Sequence, residues 1–121
     1  METDDTITVY YNSACPVCDA GIRSQRKRMQ GCDVRWVDVH AEPGAVCRLD
    51  VGLESVRERL HVRRADGTVF IGDEAFAELL ARTPRWRWSA PLVRRLHAVL
   101  APIYNAFARR LYAWNRRRGH W

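Results

Sequence analysis

Hydrophobic and polar positions along the first two-thirds of the chain predict short strands separated by helices. The β-branched and aromatic run at 7–11 predicts a first strand, and a turn-forming Asn-Ser pair follows it. Pro16 suits the first turn of a helix, which should extend to about Gln30. An apolar run at 34–39 predicts a second strand. Because a helix separates the two strands, they should be parallel and joined by a right-handed crossover.

The next stretch predicts a short helix and a hairpin. We expect a loop over 41–52, and apolar residues at three- to four-residue spacing over 53–60 predict a short helix after it. Two apolar runs, 60–64 and 68–71, then flank an Asp-Gly pair, which is a strong signal for a β-hairpin. The two strands of this hairpin should therefore be antiparallel.

A further helix over about 73–82 follows the hairpin, with Asp73 as its cap and Pro84 just past its end. Its predicted apolar face consists of Phe76, Leu79 and Leu80. The element order is βαβαββα. This order predicts an α/β, thioredoxin-like fold with a mixed four-stranded sheet.

The remainder of the chain predicts two more helices. Ser89 and Pro91 mark the start of the first, and Pro102 is expected to break or restart the helix. Five apolar residues lie on one side of the first helix, namely Leu92, Val93, Leu96, Val99 and Leu100. Apolar and aromatic residues recur at helical spacing in the second, namely Ile103, Tyr104, Phe107, Leu111, Tyr112 and Trp114.

The length of 121 residues suits one domain with its own core. We expect a single thioredoxin-like domain over 1–121, with a core at about 6–84 and a basic C-terminal helical extension at about 85–121. The net charge changes sign close to the boundary between this core and the extension. Residues 1–81 carry a net charge of −4, whereas residues 82–121 carry +10 and contain no acidic side chain.

The composition argues against a secreted or membrane-spanning protein. The N-terminus is acidic where a signal peptide would be basic and then apolar. No stretch approaches the roughly 18 uninterrupted apolar residues of a membrane-spanning helix. Four cysteines are too few for a disulfide scaffold of this size. We therefore expect a cytoplasmic protein, in which a cycling disulfide is more plausible than a permanent one.

Cys15 and Cys18 carry the most informative chemistry of the chain. Two cysteines separated by two residues, directly after a strand and at the start of a helix, are typical of thioredoxin-like redox sites. Free backbone N–H groups and the helix dipole favour a thiolate on Cys15. Cys15 is therefore the predicted nucleophile. Cys18 is the predicted resolving thiol, which attacks the mixed disulfide and releases the reduced substrate.

Two other interpretations of the pair remain open, a zinc site and an inert buried pair. Zinc would need further ligands, and Cys32 and Cys47 lack the spacing of a zinc knuckle, although His40 lies between them. We expect Cys32 and Cys47 to be buried or incidental thiols, and His61 and His97 to be core or surface residues rather than ligands. Disulfide exchange needs no cofactor, and the chain has no Ser-His-Asp, Walker or dinucleotide-binding motif.

The basic and aromatic extension permits three interpretations. In the first, which we expect, its apolar side chains pack on the domain and its arginines form a solvated face. In the second, the arginines with interfacial Trp and Tyr bind an anionic membrane surface. In the third, the extension binds nucleic acid, for which the chain offers no recognised motif, so nucleic acid is not an expected partner.

Several segments together resemble the DCC family of predicted thiol-disulfide oxidoreductases. They are Val9 to Cys18, Leu60 to Val62, Asp66-Gly67, Gly72 to Phe76, Pro84 and Tyr104 to Arg109. The resemblance covers nearly the whole chain. It implies a thioredoxin-like fold and disulfide exchange at Cys15 and Cys18 with a protein or small-molecule thiol or disulfide substrate.

The chain departs from the related patterns at two places. Asn12-Ser13 stands where members of the family usually have Asp-Gly, and Arg57-Glu58-Arg59 stands where thioredoxins have a cis-proline beside the redox pair. The sequence thus predicts a small thiol-disulfide oxidoreductase. The alternative is a non-catalytic, thioredoxin-like interaction module or a redox or metal sensor, which docks through its basic aromatic C-terminal helix.

Overall fold

The structure, a computed structural model, describes residues 6–30, 33–49 and 51–120. Within these ranges the chain forms four strands and six helical segments in the order predicted for the first part. They are β1 (Ile7–Tyr11), α1 (Pro16–Arg28), β2 (Val34–Asp38), a 3-10 helix (Pro43–Leu49), α2 (Leu53–Glu58), β3 (His61–Arg64), β4 (Val69–Ile71), α3 (Asp73–Ala81), α4 (Ser89–Arg95) and α5 (His97–Arg118).

The four strands form one mixed sheet in the order β2-β1-β3-β4. β1 is parallel to β2, with Val9 opposite Trp36, and antiparallel to β3, with Val9 opposite Val62. β4 is antiparallel to β3, as the hairpin signal predicted. The mixed four-stranded sheet and the thioredoxin-like element order are therefore confirmed.

Successive residues of β1 point to opposite faces of the sheet, and each face carries its own core. Val9 belongs to a cluster with side chains from α1 and α3, and Tyr10 belongs to a second cluster with side chains from the 3-10 helix and α2. The sheet therefore lies between two layers of helices. α1, which begins directly after Cys15, is held by the first of these cores through the buried side chain of Ile22.

The 3-10 helix corrects the loop expected over 41–52. Val46 and Leu49 in this segment are both buried in the second core cluster. A 3-10 helix places residues three apart on the same side, so it brings both side chains to the sheet. The expected loop is wrong because this apolar pair anchors the segment.

Gly72, rather than Asp73, is the N-cap of α3. Gly72 has a φ of 71°, which favours glycine, and a Cβ atom at this position would lie 3.3 Å from the ring of Tyr104 in α5. Asp73 is instead the first helical residue, and its carboxylate pairs with Nδ1 of His97 at 2.6 Å. The predicted capping residue therefore connects α3 to the extension.

The buried face of α3 also differs from the prediction in one residue. Leu79 and Leu80 are buried as expected, but 44 % of Phe76 is exposed. Ala75 and Ala77 are buried beside the leucines, so small residues and not Phe76 complete the buried face.

The interruption between the last two helices lies at Leu96 and not at Pro102. The backbone of Leu96 leaves the helical region (φ −91°, ψ 12°), whereas Pro102 lies inside α5. A proline inside a helix removes one N–H donor, here the donor that would bond to the carbonyl of Ala98. The expectation of a helix break at Pro102 is therefore wrong, since α5 continues past the missing hydrogen bond.

One apolar row of the extension faces away from the domain. Five residues at three- to four-residue spacing are exposed, and we call them the apolar stripe: Leu92, Leu96, Val99, Ile103 and Phe107. α5 packs through its other side, where Ala108 and Asn115 are buried and the hydroxyl of Tyr104 accepts a hydrogen bond from the backbone of Leu60. The expectation that the apolar residues pack on the domain is therefore wrong for the stripe, whereas Tyr104, Leu111 and Tyr112 are half-buried as expected.

Glu78 of α3 joins the extension to the core through a buried carboxylate. Only 3 % of its side chain is exposed, and it pairs with Arg64 of β3 at 2.5 Å, Arg94 of α4 at 2.7 Å and Arg82 at 3.5 Å. Burial by itself would raise the pKa of Glu78. The hydrogen bond from Arg64 and the three positive charges outweigh burial and hold this pKa below its ordinary value.

We expect the Glu78→Gln variant to be less stable than the wild type, because it leaves three arginines without their shared carboxylate. The loss should be about 2 kcal/mol, below that of a fully buried pair, since Arg64 and Arg94 stay in contact with water. Urea denaturation monitored by circular dichroism measures it. The matched control is Glu42→Gln at an exposed position, and equal unfolding midpoints for the two variants would contradict the prediction.

The contacts of Glu78 also make the stability of the protein depend on pH. Because the pKa of Glu78 is lowered in the folded state, its stabilising contribution is present above its ordinary pKa of 4.5 and declines as the pH falls further. The difference in stability between the wild type and Glu78→Gln should therefore shrink below that pH.

Candidate active site

Three hydrogen bonds, accepted by Asn12 and Asp38, fix the turn that leads from β1 into α1. The side-chain Oδ1 atom of buried Asn12 accepts a hydrogen bond from the backbone N–H of Ala14 at 3.1 Å. The backbone carbonyl of Asn12 accepts one from the backbone N–H of Cys15 at 3.3 Å. The backbone N–H of Ser13 donates to Asp38, at the end of β2, at 3.1 Å. This turn carries the chain from the sheet to the first cysteine.

Cys15 and Cys18 lie together at the N-terminus of α1. Cys15 is the N-cap residue, and its Sγ atom accepts a hydrogen bond from the backbone N–H of Cys18 at 3.2 Å. Pro16 occupies the first helical turn, as predicted. The Cys15 side chain has no exposed surface, whereas that of Cys18 is half-buried.

The two thiols differ sharply in acidity. A hydrogen bond with the Cys18 thiol is the largest influence on Cys15. Burial opposes it, but bonds from Asn115 and from the backbone of Val17 and Cys18 add to it and lower the pKa of Cys15 from 9.0 to about 6. The same bond to Cys15, together with burial and the charge on Cys15, raises the pKa of Cys18 above its ordinary value. The proton of the pair therefore stays on Cys18.

Asn115 is a residue of this site that the sequence analysis did not identify. It is buried in α5, and its side chain is one of the causes that lower the pKa of Cys15. Its Oδ1 atom accepts from Nδ1 of His120 at 2.6 Å, so the amide N–H₂ group is the part of the side chain that can donate to a thiolate. The ring of Trp114 packs edge-on against His120 at 5.1 Å. His120 thus orients Asn115, and Asn115 stabilises the thiolate.

A signal for Asn115 is nevertheless present in the sequence. Tyr104, Ala108 and Leu111 recur at spacings of four and three residues on one side of α5, and Asn115 takes the next position of that row. A polar residue in an otherwise apolar row is a candidate for a buried hydrogen bond. The surrounding arginines concealed this signal, because they suggested a solvated helix.

A cavity of about 310 Å³ lies beside Cys18. Its walls are mainly apolar and come from α1, α3 and α5, among them Val17, Gly21, Ile22, Phe76, Phe107 and Leu111. Arg57-Glu58-Arg59 forms part of another wall, so this departure from thioredoxins lies near Cys18. Cys15 does not line the cavity. A molecule in the cavity therefore contacts the Cys18 side of the pair.

Cys47, His61 and His97 take no part in this geometry. Cys47 is exposed on the 3-10 helix, and Cys32 lies outside the described residues. His61 is buried and donates to the carbonyl of Arg59 at 2.9 Å, and His97 pairs with a carboxylate of α3. Over residues 6–30, 33–49 and 51–120, no three His, Cys, Asp or Glu side chains are grouped to hold a metal ion.

Comparison with known proteins gives one match. A family model described as DCC1-like thiol-disulfide oxidoreductase matches residues 9–117, a range that contains both Cys15 and Asn115. The match confirms the resemblance seen in the sequence. No curated protein and no solved structure matches the chain.

The low pKa of Cys15 predicts a reactive thiol in mildly acidic solution. The rate of its alkylation by iodoacetamide, followed by mass spectrometry of the Cys15 peptide, should reach half its maximum at about pH 6. In Cys18→Ala the half-maximum should move toward an ordinary thiol, because the main hydrogen bond is lost. Cys47→Ser should leave the profile unchanged. A wild-type half-maximum near pH 9 would be inconsistent with the thiolate geometry.

The role of Asn115 predicts a second change in the same profile. Asn115→Ala should raise the pKa of Cys15 by about one pH unit, since a hydrogen bond to a charged group is worth roughly 1.5 kcal/mol or more. His120→Ala should produce a smaller change in the same direction. Asn105→Ala, in the same helix, serves as the control. If Asn115→Ala and Asn105→Ala gave the same profile, Asn115 would have no influence on the thiolate.

Proposed function

We propose that the chain, which belongs to the DCC1-like thiol-disulfide oxidoreductase family, exchanges disulfides with a thiol-bearing substrate through Cys15 and Cys18. Family membership supports an oxidoreductase role in general. The observation that carries the assignment of the two cysteines is their unequal acidity within one hydrogen-bonded pair. Cys15 is the nucleophile and Cys18 is the resolving thiol.

In the first step, the Cys15 thiolate attacks one sulfur of a substrate disulfide. A bond forms between Cys15 and that sulfur, the substrate S–S bond breaks, and the departing thiolate takes up a proton. The product is a mixed disulfide, in which Cys15 no longer carries a negative charge.

Loss of that charge prepares the second step. The hydrogen bond to the Cys15 thiolate and its charge are both causes of the raised pKa of Cys18, and both vanish in the mixed disulfide. Cys18 then releases its proton and attacks Cys15, and the second substrate thiol leaves. In total, one substrate disulfide gains two electrons and two protons, and the Cys15–Cys18 disulfide forms. The reverse sequence oxidises two substrate thiols.

Access to the pair limits the kind of substrate. Cys15 has no exposed surface, so an incoming sulfur has to displace one of its neighbours, whereas Cys18 is open to the apolar cavity. A small disulfide, or an extended peptide segment with apolar groups beside its cysteine, fits this arrangement. The broad face of a folded protein does not.

The burial of Cys15 favours a second candidate, a redox sensor without a substrate. In that function the pair would close and open with the redox poise of its surroundings, and the change in α1 and α5 would be the signal. A sensor needs small oxidants to reach the pair, but it needs no room for a protein disulfide.

The reduction potential of the pair tests both candidates. We expect a reversible two-electron transition in glutathione or dithiothreitol buffers, assigned to Cys15 and Cys18 by mass-spectrometric thiol counting. The purified protein is first assayed for zinc. Stoichiometric zinc, or no disulfide at any poise, would contradict both candidates.

A trapping experiment separates the oxidoreductase from the sensor. In a background with Cys32→Ser and Cys47→Ser, the Cys18→Ser variant should accumulate a glutathione adduct on Cys15 when it is treated with oxidised glutathione, because the resolving thiol is absent. Cys15→Ser is the control and should accumulate far less. An adduct that forms equally in both variants would argue against Cys15 as the nucleophile, and absence of any adduct would favour the sensor.

A further inference from the structure

The apolar stripe, five residues between Leu92 and Phe107, is a surface feature that the proposed chemistry of Cys15 and Cys18 does not explain. Each of its five side chains is between 44 and 61 % exposed. Single exposed apolar residues are ordinary, but a continuous row of large ones is typical of a surface that is covered by something else.

The stripe cannot simply turn inward onto the domain. The opposite side of α5 already holds Tyr104 and Asn115 in their contacts with Leu60 and Cys15. Rotating α5 to bury Val99 and its neighbours would break both contacts. The exposed position of the stripe is thus tied to the contacts that complete the redox site.

The row continues toward the end of α5 with a different composition. Arg110, Trp114 and Arg117 follow Phe107 at spacings of three, four and three residues, which keeps them on the same side of the helix. Both arginines are exposed, and 36 % of Trp114 is exposed. An apolar row that passes into arginine and tryptophan has the composition of a helix that lies at a lipid–water boundary.

The positive charge of residues 82–121 favours an anionic lipid surface over a second copy of the chain as the partner of the stripe. Residues 82–121 contain ten arginines and no acidic residue. A second copy of the chain would bring these like charges together, which disfavours a symmetric contact through the stripe. An anionic lipid surface complements the charge and also accepts the apolar side chains.

We propose that the apolar stripe docks this protein on an anionic membrane surface. α5 lies in the plane of the interface, with Val99, Ile103 and Phe107 at the boundary of the acyl chains and Arg110 and Arg117 among the headgroups. The protein rests on the membrane without crossing it, since none of the helices in the described ranges is both long and apolar enough for a membrane span.

This docking places the redox pair close to the lipid. Phe107 belongs both to the stripe and to the wall of the cavity beside Cys18. The cavity therefore lies next to the docked surface. The docking itself does not depend on the proposed redox activity, so it can be tested separately.

Co-sedimentation of the full chain with lipid vesicles tests the proposal. We expect binding to phosphatidylcholine vesicles with about 30 % phosphatidylglycerol, and at least tenfold weaker binding to pure phosphatidylcholine. Raising the salt from about 50 to about 500 mM should weaken the binding strongly.

Two double variants separate the apolar and the ionic contributions. Val99→Ser with Ile103→Ser, both exposed and outside the cavity, should weaken binding roughly tenfold or more through lost apolar burial. Arg110→Gln with Arg117→Gln should do the same through lost charge. The control, Lys27→Gln with Arg28→Gln on α1, removes the same charge elsewhere and should bind nearly as the wild type. Circular dichroism establishes that all variants are folded.

Three results would overturn the proposal. The first is no binding to anionic vesicles at low salt. The second is equal loss of binding in the α1 control, or full binding by Val99→Ser with Ile103→Ser, since either shows that the stripe is not the contact. The third is a dimer in sedimentation velocity that the same serine variant dissociates, which would assign the surface to a second copy of the chain.

Discussion

A negative charge on a sulfur atom without exposed surface is the constraint around which this site is built. Removing an anion from water is unfavourable unless hydrogen-bond donors replace the water. The donors around Cys15 are the backbone at the start of α1, the Cys18 thiol and the side chain of Asn115. Since Asn115 belongs to α5, the C-terminal extension contributes to the surroundings of the Cys15 sulfur. The sheet and its first three α-helices supply only part of the stabilisation.

The position of α5 follows from several polar contacts on one side of the helix. Tyr104 accepts from the backbone of Leu60, Tyr112 donates to Glu54, and Asn115 reaches Cys15. These contacts fix the rotation of α5 about its own axis, and the rotation decides which residues are left to solvent. The exposed apolar row and the buried thiolate are therefore two results of one packing arrangement.

The sequence predicted the parts of the fold that depend on local pattern. The strands, α1 and the hairpin have short-range signals, such as the proline after Cys15 and the Asp-Gly turn, and they lie where those signals placed them. The extension was harder, because both sides of its helices carry apolar residues and periodicity alone does not say which side packs. Asn115 was missed because its partner is far away in sequence, and only the tertiary fold brings the two together.

The distance along the chain between Cys15 and Asn115 has a consequence for biosynthesis. Asn115 is made 100 residues after Cys15, and the sheet and α1 are complete long before it. A nascent chain on the ribosome therefore carries Cys15 as a weaker acid, without the last donor. The low pKa of Cys15 is thus a property of the folded chain with α5 in place, and a chain that ends before Asn115 lacks one of its causes.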